Sequence, residues 1–190
     1  MSDAVFVSFF TCNWRYPQMA QRLASTLQDM GVAYDIRCMP SDSDWLANTR
    51  IKPRFIRQML KLYPRIVWID ADSDVHQLPR MLLNFREDLL LRPHSTVPGR
   101  AWHVSVMGWR STPETVALCD AWLAYSDEHG GTDEAAFDAV ISEFAPALRI
   151  GLMPAKYHRI PGEAHDNAVI TIGISKDEDK MRIKNTEGFR

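Results

Sequence analysis

The sequence predicts an α/β fold in which a mostly parallel sheet is flanked by helices on both faces. Short apolar runs alternate with segments of helical periodicity through the first two thirds of the chain. The opening order is strand, helix, strand, helix, strand, which favours a parallel sheet. The length of 190 residues and the hydrophobic content of 46% suit one domain with a substantial core. We therefore expect a single domain over residues 1–175 and a charged tail over 176–190.

Seven short runs rich in apolar residues are predicted as strands. They cover residues 4–11, 32–39, 66–69, 88–91, 102–107, 148–153 and 169–174. The first and third runs read as buried strands, because they are bounded by polar residues and contain almost no charge.

Helices are predicted where capping residues or proline precede a periodic apolar pattern. The first begins near Pro17, places apolar residues at steps of four, four and three, and stops at Gly31. Others begin at Pro53, Thr112 and Thr132, and a short helical piece follows residue 79. Residues 41–48 are predicted to form a polar loop that carries one large aromatic side chain.

Composition excludes several classes of function. A formal net charge of −2 gives no general attraction to nucleic acid or anionic membranes. The apolar stretch 5–10 is too short for a signal peptide, and no stretch has the length of a membrane span. The cysteines Cys12, Cys38 and Cys119 are odd in number and far apart, so we expect reduced thiols in a cytoplasmic protein. Cys12 has no histidine near it in sequence that could activate its thiol, which argues against a catalytic role.

The acidic end of the third strand is the most informative segment. Asp70 and Asp72 follow the apolar run 66–69 directly. In an extended chain they point to the same side, so both can reach one hard cation. The carboxyl edge of a parallel sheet is where open α/β folds bind ligands. A divalent ion there could neutralise a diphosphate, which points to nucleotide-sugar chemistry.

Other interpretations of the acidic segment 70–74 compete. A calcium-binding loop needs Gly at its sixth position and Glu at its twelfth, where this chain has Val75 and Met81. A phosphatase-type aspartyl nucleophile also follows a strand with Asp-x-Asp, but such enzymes normally carry it on the first strand. Turn and cap residues remain a third interpretation, because Asp and Ser are common where strands lead into helices.

The surroundings of the acidic segment carry a resemblance. Residues 52–56 (KPRFI) and 66–72 (IVWIDAD) resemble the KPxFI…WxDxD pattern of nucleotide-diphospho-sugar transferases of the GT-A fold. Residues 106–113, with the helix that contains 121–123, resemble the GxxxFRNTP…LLxxW segment of that family. The start of the helix at 132–134 resembles its DQxAL segment. The likeness covers roughly residues 4–155.

The resemblance implies a GT-A, Rossmann-like fold and a metal-dependent glycosyltransferase that takes a nucleotide diphosphate sugar, with a UDP-sugar expected. Asp70 would contact the ribose or the metal, and Asp72 would hold Mn²⁺ or Mg²⁺ against the donor diphosphate. The ion would stabilise the charge that grows on the leaving nucleotide. Thr11 and Asn13 match positions where the family holds the nucleotide.

Further roles follow from the same resemblance. Arg50 and Lys52 could meet phosphate oxygens near a helix N-terminus. Gly108 would let the backbone approach the sugar. Asp133 and Glu134 would face the sugar hydroxyls or the acceptor, and they are the candidates for a catalytic base.

The chain also departs from the family pattern. Many members supply a further metal ligand from a C-terminal His, but the run 169–174 contains none, so His158 or His165 would have to substitute. Glu134 stands where Gln is usual, and the chain is short for the fold. These departures favour one alternative, a binding module that has kept the nucleotide-sugar pocket but lost transfer.

A basic stripe favours another alternative, a glycosyltransferase acting on a modified base in DNA. Lys or Arg recurs at steps of three and four along the Pro53 helix. The stripe consists of Arg50, Arg54, Arg57, Lys61 and Arg65. Such a stripe is either a solvated helix face or a contact to the phosphate backbone of an acceptor.

Overall fold

The protein is described here by a computed structural model that covers residues 4–12, 15–41, 45–94, 99–159 and 167–173. The strands in chain order are β1 Val5–Thr11, β2 Tyr34–Met39, β3 Arg65–Ile69, β4 Asp74–Val75, β5 Leu89–Pro93, β6 Trp102–Arg110, β7 Ile150–Leu152 and β8 Ile170–Thr171. The helices are α1 Tyr16–Asp29, α2 Trp45–Thr49, α3 Ile51–Leu62, α4 Arg80–Leu83, α5 Pro113–His129 and α6 Asp133–Phe144. Single 3₁₀ turns lie at Ala145–Ala147 and Ala155–Tyr157.

Six strands form the central sheet in the order β2-β1-β3-β6-β5-β7. The pairs β1–β2, β1–β3 and β5–β7 are parallel, whereas β6 runs antiparallel to both of its neighbours. The sheet is therefore mostly parallel, as predicted. β4 and β8 form a separate two-stranded antiparallel sheet.

Successive side chains along the strands point to opposite faces of the sheet, and each face carries an apolar layer. Trp68 and Trp109 pack on one face with aromatic residues of α3, α5 and α6. Val67 and Ile69 point to the other face, where they pack with apolar residues of α1 and α4. Helices therefore cover both faces, and β3 between them is buried on both sides and apolar after its first residue, Arg65.

Several elements differ from the prediction, among them β4, which was not expected. Trp45–Thr49 is a short helix where a polar loop was expected. β6 extends to Arg110, beyond the predicted end at residue 107, because its last residues still pair with β3 and β5. The predicted closing strand 169–174 shrinks to Ile170–Thr171, which pairs with Asp74–Val75 and not with the central sheet.

The prediction of three reduced thiols is wrong, because Cys12 and Cys38 form a disulfide. In the parallel register of β1 and β2, Phe10 is opposite Cys38, so Cys12 lies just beyond the end of β1 and near Cys38. Their α-carbons are 6.3 Å apart although 26 positions separate them in sequence. Cys119 is free and buried in α5, and this burial raises the pKa of its thiol.

Within the described ranges, no helix is both long and apolar enough to cross a membrane. The predicted tail 176–190 lies outside the described residues.

Candidate functional site

The acidic segment leaves the centre of the sheet at the carboxyl end of β3. The Asp70 amide donates to the Ser105 carbonyl at 2.9 Å, which extends the β3–β6 pairing by one residue. The Asp70 carbonyl then accepts from the Ser73 amide at 3.1 Å. Residues 70–73 are therefore a turn, and the expectation of an extended chain there is wrong. Burial raises the pKa of Asp70, and the negative charge of Asp72 adds to that rise.

A buried lysine organises this acidic segment. Lys52 lies in the first turn of α3 and is 5% exposed. Its Nζ is 3.0 Å from Asp70 Oδ1 and 2.5 Å from Asp133 Oδ2, and it donates to the Val104 carbonyl at 3.3 Å. The three N–H groups of the ammonium thus have three acceptors. The prediction that Lys52 reaches outward to phosphate does not fit this burial, because its charge is already engaged by two carboxylates.

The electrostatics of the two partners follow from the same contacts. Burial by itself would lower the pKa of Lys52, but the charges of Asp133 and Asp70 outweigh it and raise that pKa above its usual value. Burial also raises the pKa of Asp70, and the charge of Lys52 opposes that rise. We conclude that Lys52 is a permanent cation that keeps neighbouring acids together.

Trp68 supplies a second donor to the same oxygen. Its Nε1 donates to Asp70 Oδ1 at 3.0 Å, and the Lys52 ammonium lies 5.2 Å from the centre of its ring. Trp68 and Asp70 point to the same side because they are two residues apart at the end of a strand. The sequence contained this signal in the i, i+2 spacing, but the role of Trp68 was not predicted.

The start of α6 brings the predicted acceptor-side residues to the same place. Thr132 caps the helix by accepting from the Ala135 amide at 3.2 Å. Asp133 Oδ1 accepts from the Glu134 amide at 3.0 Å, while its other oxygen contacts Lys52. Asp133 and Asp70, which are 63 positions apart in sequence, therefore share one ammonium.

Glu134 points away from this ion pair. Its Oε1 lies 3.9 Å from His103 Nδ1 on β6. Burial raises the pKa of Glu134, and the nearby Asp133 and Asp138 charges add to the rise while Arg100 opposes it. The two acids at the start of α6 thus differ: Asp133 is held by a cation, and Glu134 is a half-buried carboxyl group with a raised pKa.

The predicted substitute for a third metal ligand does not join the acidic pair. His158 is fully buried, and its ring lies 4.6 Å from the ring of His103. Burial, with the charges of His103 and Arg92, lowers the pKa of His158 well below its usual value. Among the described residues, the group of three metal-ligating side chains that come together does not contain Asp70, Asp72 or His158. His165 lies outside the described residues.

The predicted nucleotide and phosphate contacts lie around the same sheet edge. Thr11 ends β1, is buried, and is opposite Met39 in β2. Asn13 lies outside the described residues. Arg50 is half-buried just before α3, and its Nη1 is 3.8 Å from the point where a Cβ on Gly130 would stand. Arg50 therefore reaches toward the connection between α5 and α6, which leads directly into Asp133.

Gly108 has a different reason to be glycine from the one predicted. It pairs with Val67 and Leu90 in the middle of β6, away from the edge where β3 ends. A Cβ there would lie 2.9 Å from Leu90 Cβ and 3.0 Å from the Phe85 ring. The close approach is therefore made by core side chains, and the prediction of a sugar at this position does not fit the structure.

The basic stripe on α3 is largely engaged by protein groups. Arg57 Nε is 2.9 Å from an oxygen of Asp120, and Arg54 Nη2 is 3.8 Å from one of Asp127, both on α5. Arg65 is buried, with its guanidinium over the Phe85 ring. Part of the stripe is thus an interhelical ion-pair surface.

Known structures share this fold. No protein-family model and no curated protein matches the sequence. A glycosyltransferase involved in the glycosylation of the major capsid of PBCV-1 aligns over 98% of this chain and 100% of its own, with a TM-score of 0.71 and 9% identity. The glycosyltransferase GlyE of Streptococcus pneumoniae TIGR4, in its apo form, aligns over 93% of this chain with a TM-score of 0.66 and 10% identity.

These likenesses differ in how much of the other protein they cover. The chain spans 56% of GlyE and 41% of the bifunctional glycosyltransferase WbbM, which has a TM-score of 0.59 and 11% identity. At such low identity the likeness shows the fold and not the substrates. The chain therefore has the α/β fold of these glycosyltransferases, as the resemblance in its sequence predicts.

Proposed function

We propose that this protein is a glycosyltransferase that moves a sugar from a nucleotide diphosphate donor, in the first instance a UDP-sugar, to an acceptor. One observation carries the proposal. The central strand of a glycosyltransferase fold ends in two acidic residues, and a buried lysine ties the first of them to the start of α6. Ligands of open α/β folds bind at this edge of the sheet.

The residues at this edge fit a hard divalent cation, Mn²⁺ or Mg²⁺. Asp70, Asp72 and Asp133 offer carboxylate oxygens, the ligand type that such ions prefer. With all three acids ionised, the three carboxylates and the Lys52 ammonium together carry a net charge of −2. Lys52 and Trp68 both bind Asp70 Oδ1, so the second oxygen of Asp70, together with Asp72, would hold the ion.

The protein groups have distinct roles in this proposal. A bound divalent ion would neutralise the diphosphate of the leaving nucleotide. Lys52 fixes the position of Asp70 and prevents repulsion between Asp70 and Asp133. Glu134, whose pKa is raised by burial, is the better candidate for a base that takes the acceptor proton, since Asp133 is already paired with a cation.

A second candidate function is a binding module that keeps the donor but does not transfer the sugar. The contact between Lys52 and Asp70 favours it, because an internal ammonium at 3.0 Å already compensates the charge that a metal would compensate. Such a module would bind a nucleotide sugar without metal and without turnover.

The two candidates differ in a direct assay. Purified protein is incubated with Mn²⁺ and a panel of nucleotide sugars, and release of the nucleotide diphosphate is measured with and without chelator. For the transferase we expect slow metal-dependent hydrolysis of at least one donor, and we expect Asp72→Ala to reduce it by at least about tenfold.

Asp74→Ala is the matched control, because Asp74 belongs to the same acidic segment but pairs with Arg22 at 2.8 Å. Hydrolysis that persists at the same rate in Asp72→Ala would contradict the metal role of the acidic pair. Donor binding without hydrolysis for any member of the panel would support the binding module.

A further inference from the structure

A second group of ligating side chains lies beside the acidic edge. It consists of His94, just after β5, His103 on β6 and Glu134 on α6. One ligand atom from each lies within 4.8 Å of the other two. His103 is buried, whereas His94 and Glu134 are partly exposed. The proposed sugar transfer does not use the two histidines, whereas Glu134, its candidate base, could not take the acceptor proton while it holds an ion.

The position of the group suggests what a bound ion would connect. The His94 amide donates to the Ala101 carbonyl at 2.8 Å, so His94 and His103 lie at the loop end of the hairpin formed by β5 and β6. Glu134 belongs to the first turn of α6, which packs on β6. An ion held by all three side chains would cross-link the hairpin to the helix.

We propose that His94, His103 and Glu134 bind one divalent transition-metal ion of the Zn²⁺ class. Two imidazole nitrogens and one carboxylate oxygen are the ligands that borderline ions such as Zn²⁺ and Co²⁺ prefer. Three protein ligands leave a fourth position for water. The all-oxygen set at Asp70 and Asp72 instead suits hard ions, so the two sites select different metals.

Binding requires a small rearrangement. Tetrahedral zinc with bonds of about 2.0–2.1 Å places its ligand atoms about 3.4 Å apart, whereas His103 Nδ1 and Glu134 Oε1 are 3.9 Å apart. The rings of His94 and His103 are stacked, with centres 3.9 Å apart and planes inclined by 23°. An imidazole binds a metal within the plane of its ring, so the partly exposed His94 turns out of the stack when the ion binds.

Neighbouring residues act on the two histidine side chains of this group. Burial lowers the pKa of His94; the charges of Arg100 and Arg92 add to this effect and the charge of Asp138 opposes it. On the other side of His103 the buried ring of His158 limits its movement. His103 is thus confined by its burial, whereas His94 and Glu134 are partly exposed.

The test is a titration of the metal-free 190-residue chain, with any affinity tag removed, by Co²⁺ and then Zn²⁺. We expect binding of one Co²⁺ with the visible absorption of a four-coordinate site, displaced by one Zn²⁺. His94→Ala and Glu134→Gln each weaken binding at least about tenfold, because each removes one of three ligands. His129→Ala removes an exposed histidine elsewhere and leaves binding unchanged.

Far-ultraviolet circular dichroism of each variant checks that it is folded. Substitution of the buried His103 could unfold the protein, so the test uses His94, which is only partly buried. Unchanged affinity in His94→Ala and Glu134→Gln, or no saturable binding in the wild type, overturns the proposal. Loss of Co²⁺ in Asp72→Ala but not in His94→Ala also overturns it, because the ion would then lie at the acidic pair. A failed donor assay leaves this titration unaffected, so the two proposals fail separately.

Discussion

At Lys52 a charged side chain is buried where three acceptors meet its three N–H groups. A buried ion pair is not by itself a large source of stability, because both charges lose water when they are buried. Removal of one partner is different, since it leaves the other charges uncompensated. Here the loss of the ammonium would leave Asp70 and Asp133 facing each other beside Asp72.

We therefore expect Lys52→Met to lower the free energy of unfolding by about 3–5 kcal/mol at pH 7, measured by urea denaturation. Because the pKa of Lys52 is raised in the folded state, its contribution is fully present at pH 7, which lies below the unfolded pKa. It is lost only as the pH rises through the folded value. Lys61→Met is the control, because Lys61 is exposed on the same helix. Equal effects of the two substitutions would contradict the bridging role.

At the level of secondary structure, short connections between elements determine where the site residues lie. Gly130 and Gly131, between α5 and α6, have φ angles of 68° and 81°, in a region that favours glycine. This sharp reversal packs α6 beside α5 and delivers Asp133 to the lysine of α3. Local turn chemistry therefore determines a contact between distant parts of the chain.

Three strands at the other edge of the sheet are joined by one carboxylate. Asp88 precedes β5 and accepts from the Arg149 amide at 3.0 Å, from Arg149 Nη2 at 3.0 Å and from Arg110 Nη1 at 3.3 Å. Arg149 precedes β7 and Arg110 ends β6. The hydrogen bond to the Arg149 side chain is the main reason that the pKa of Asp88 is lowered, although burial opposes it.

A pH-dependent contribution to stability follows from this lowered pKa. It is present above the unfolded pKa of about 3.9 and is lost as the pH falls through the folded value. We expect Asp88→Asn to lower the free energy of unfolding by about 1–3 kcal/mol at pH 7, with a smaller difference from the wild type at pH 3. Urea denaturation at both pH values measures this. The neighbouring Glu87→Gln is the control, and a difference that grows toward pH 3 would contradict the assignment.

For the whole molecule, the disulfide between Cys12 and Cys38 restricts the unfolded chain over 26 positions. A closed loop of this size stabilises a folded protein by about 2–4 kcal/mol in the chain-entropy account. It also fixes β1 to β2 at the sheet edge that carries Thr11. The stability of the whole fold therefore depends on whether Cys12 and Cys38 are oxidised.

Thiol counting tests this directly. We expect one reactive thiol in the unfolded, unreduced protein and three after reduction, because the sequence contains three cysteines and only Cys119 is free. Cys38→Ser should lower the stability by about 2–4 kcal/mol. A reductant should lower the melting temperature of the wild type but not of this variant. Three thiols before reduction would exclude the disulfide.

The sequence was enough to predict the α/β architecture, the approximate bounds of most elements and the acidic end of β3. These features depend on short-range rules: apolar periodicity, proline and threonine at helix starts, and the order of strands and helices. The same rules located Asp133 and Glu134 at a helix start. They did not separate the two acids, because what distinguishes them is a lysine 81 positions away from Asp133 and a histidine on another element.

Contacts between side chains that are distant in sequence could not be predicted and are seen in the folded chain alone. Strand order and register placed Cys12 beside Cys38, and packing of core side chains explained Gly108. Lys52 was predicted to contact phosphate, but it is buried and forms ion pairs with Asp70 and Asp133. Pairing of β5 with β6 places two histidines near Glu134. Local sequence encodes the elements, but contacts between distant side chains depend on the register and packing of those elements, which no local pattern specifies.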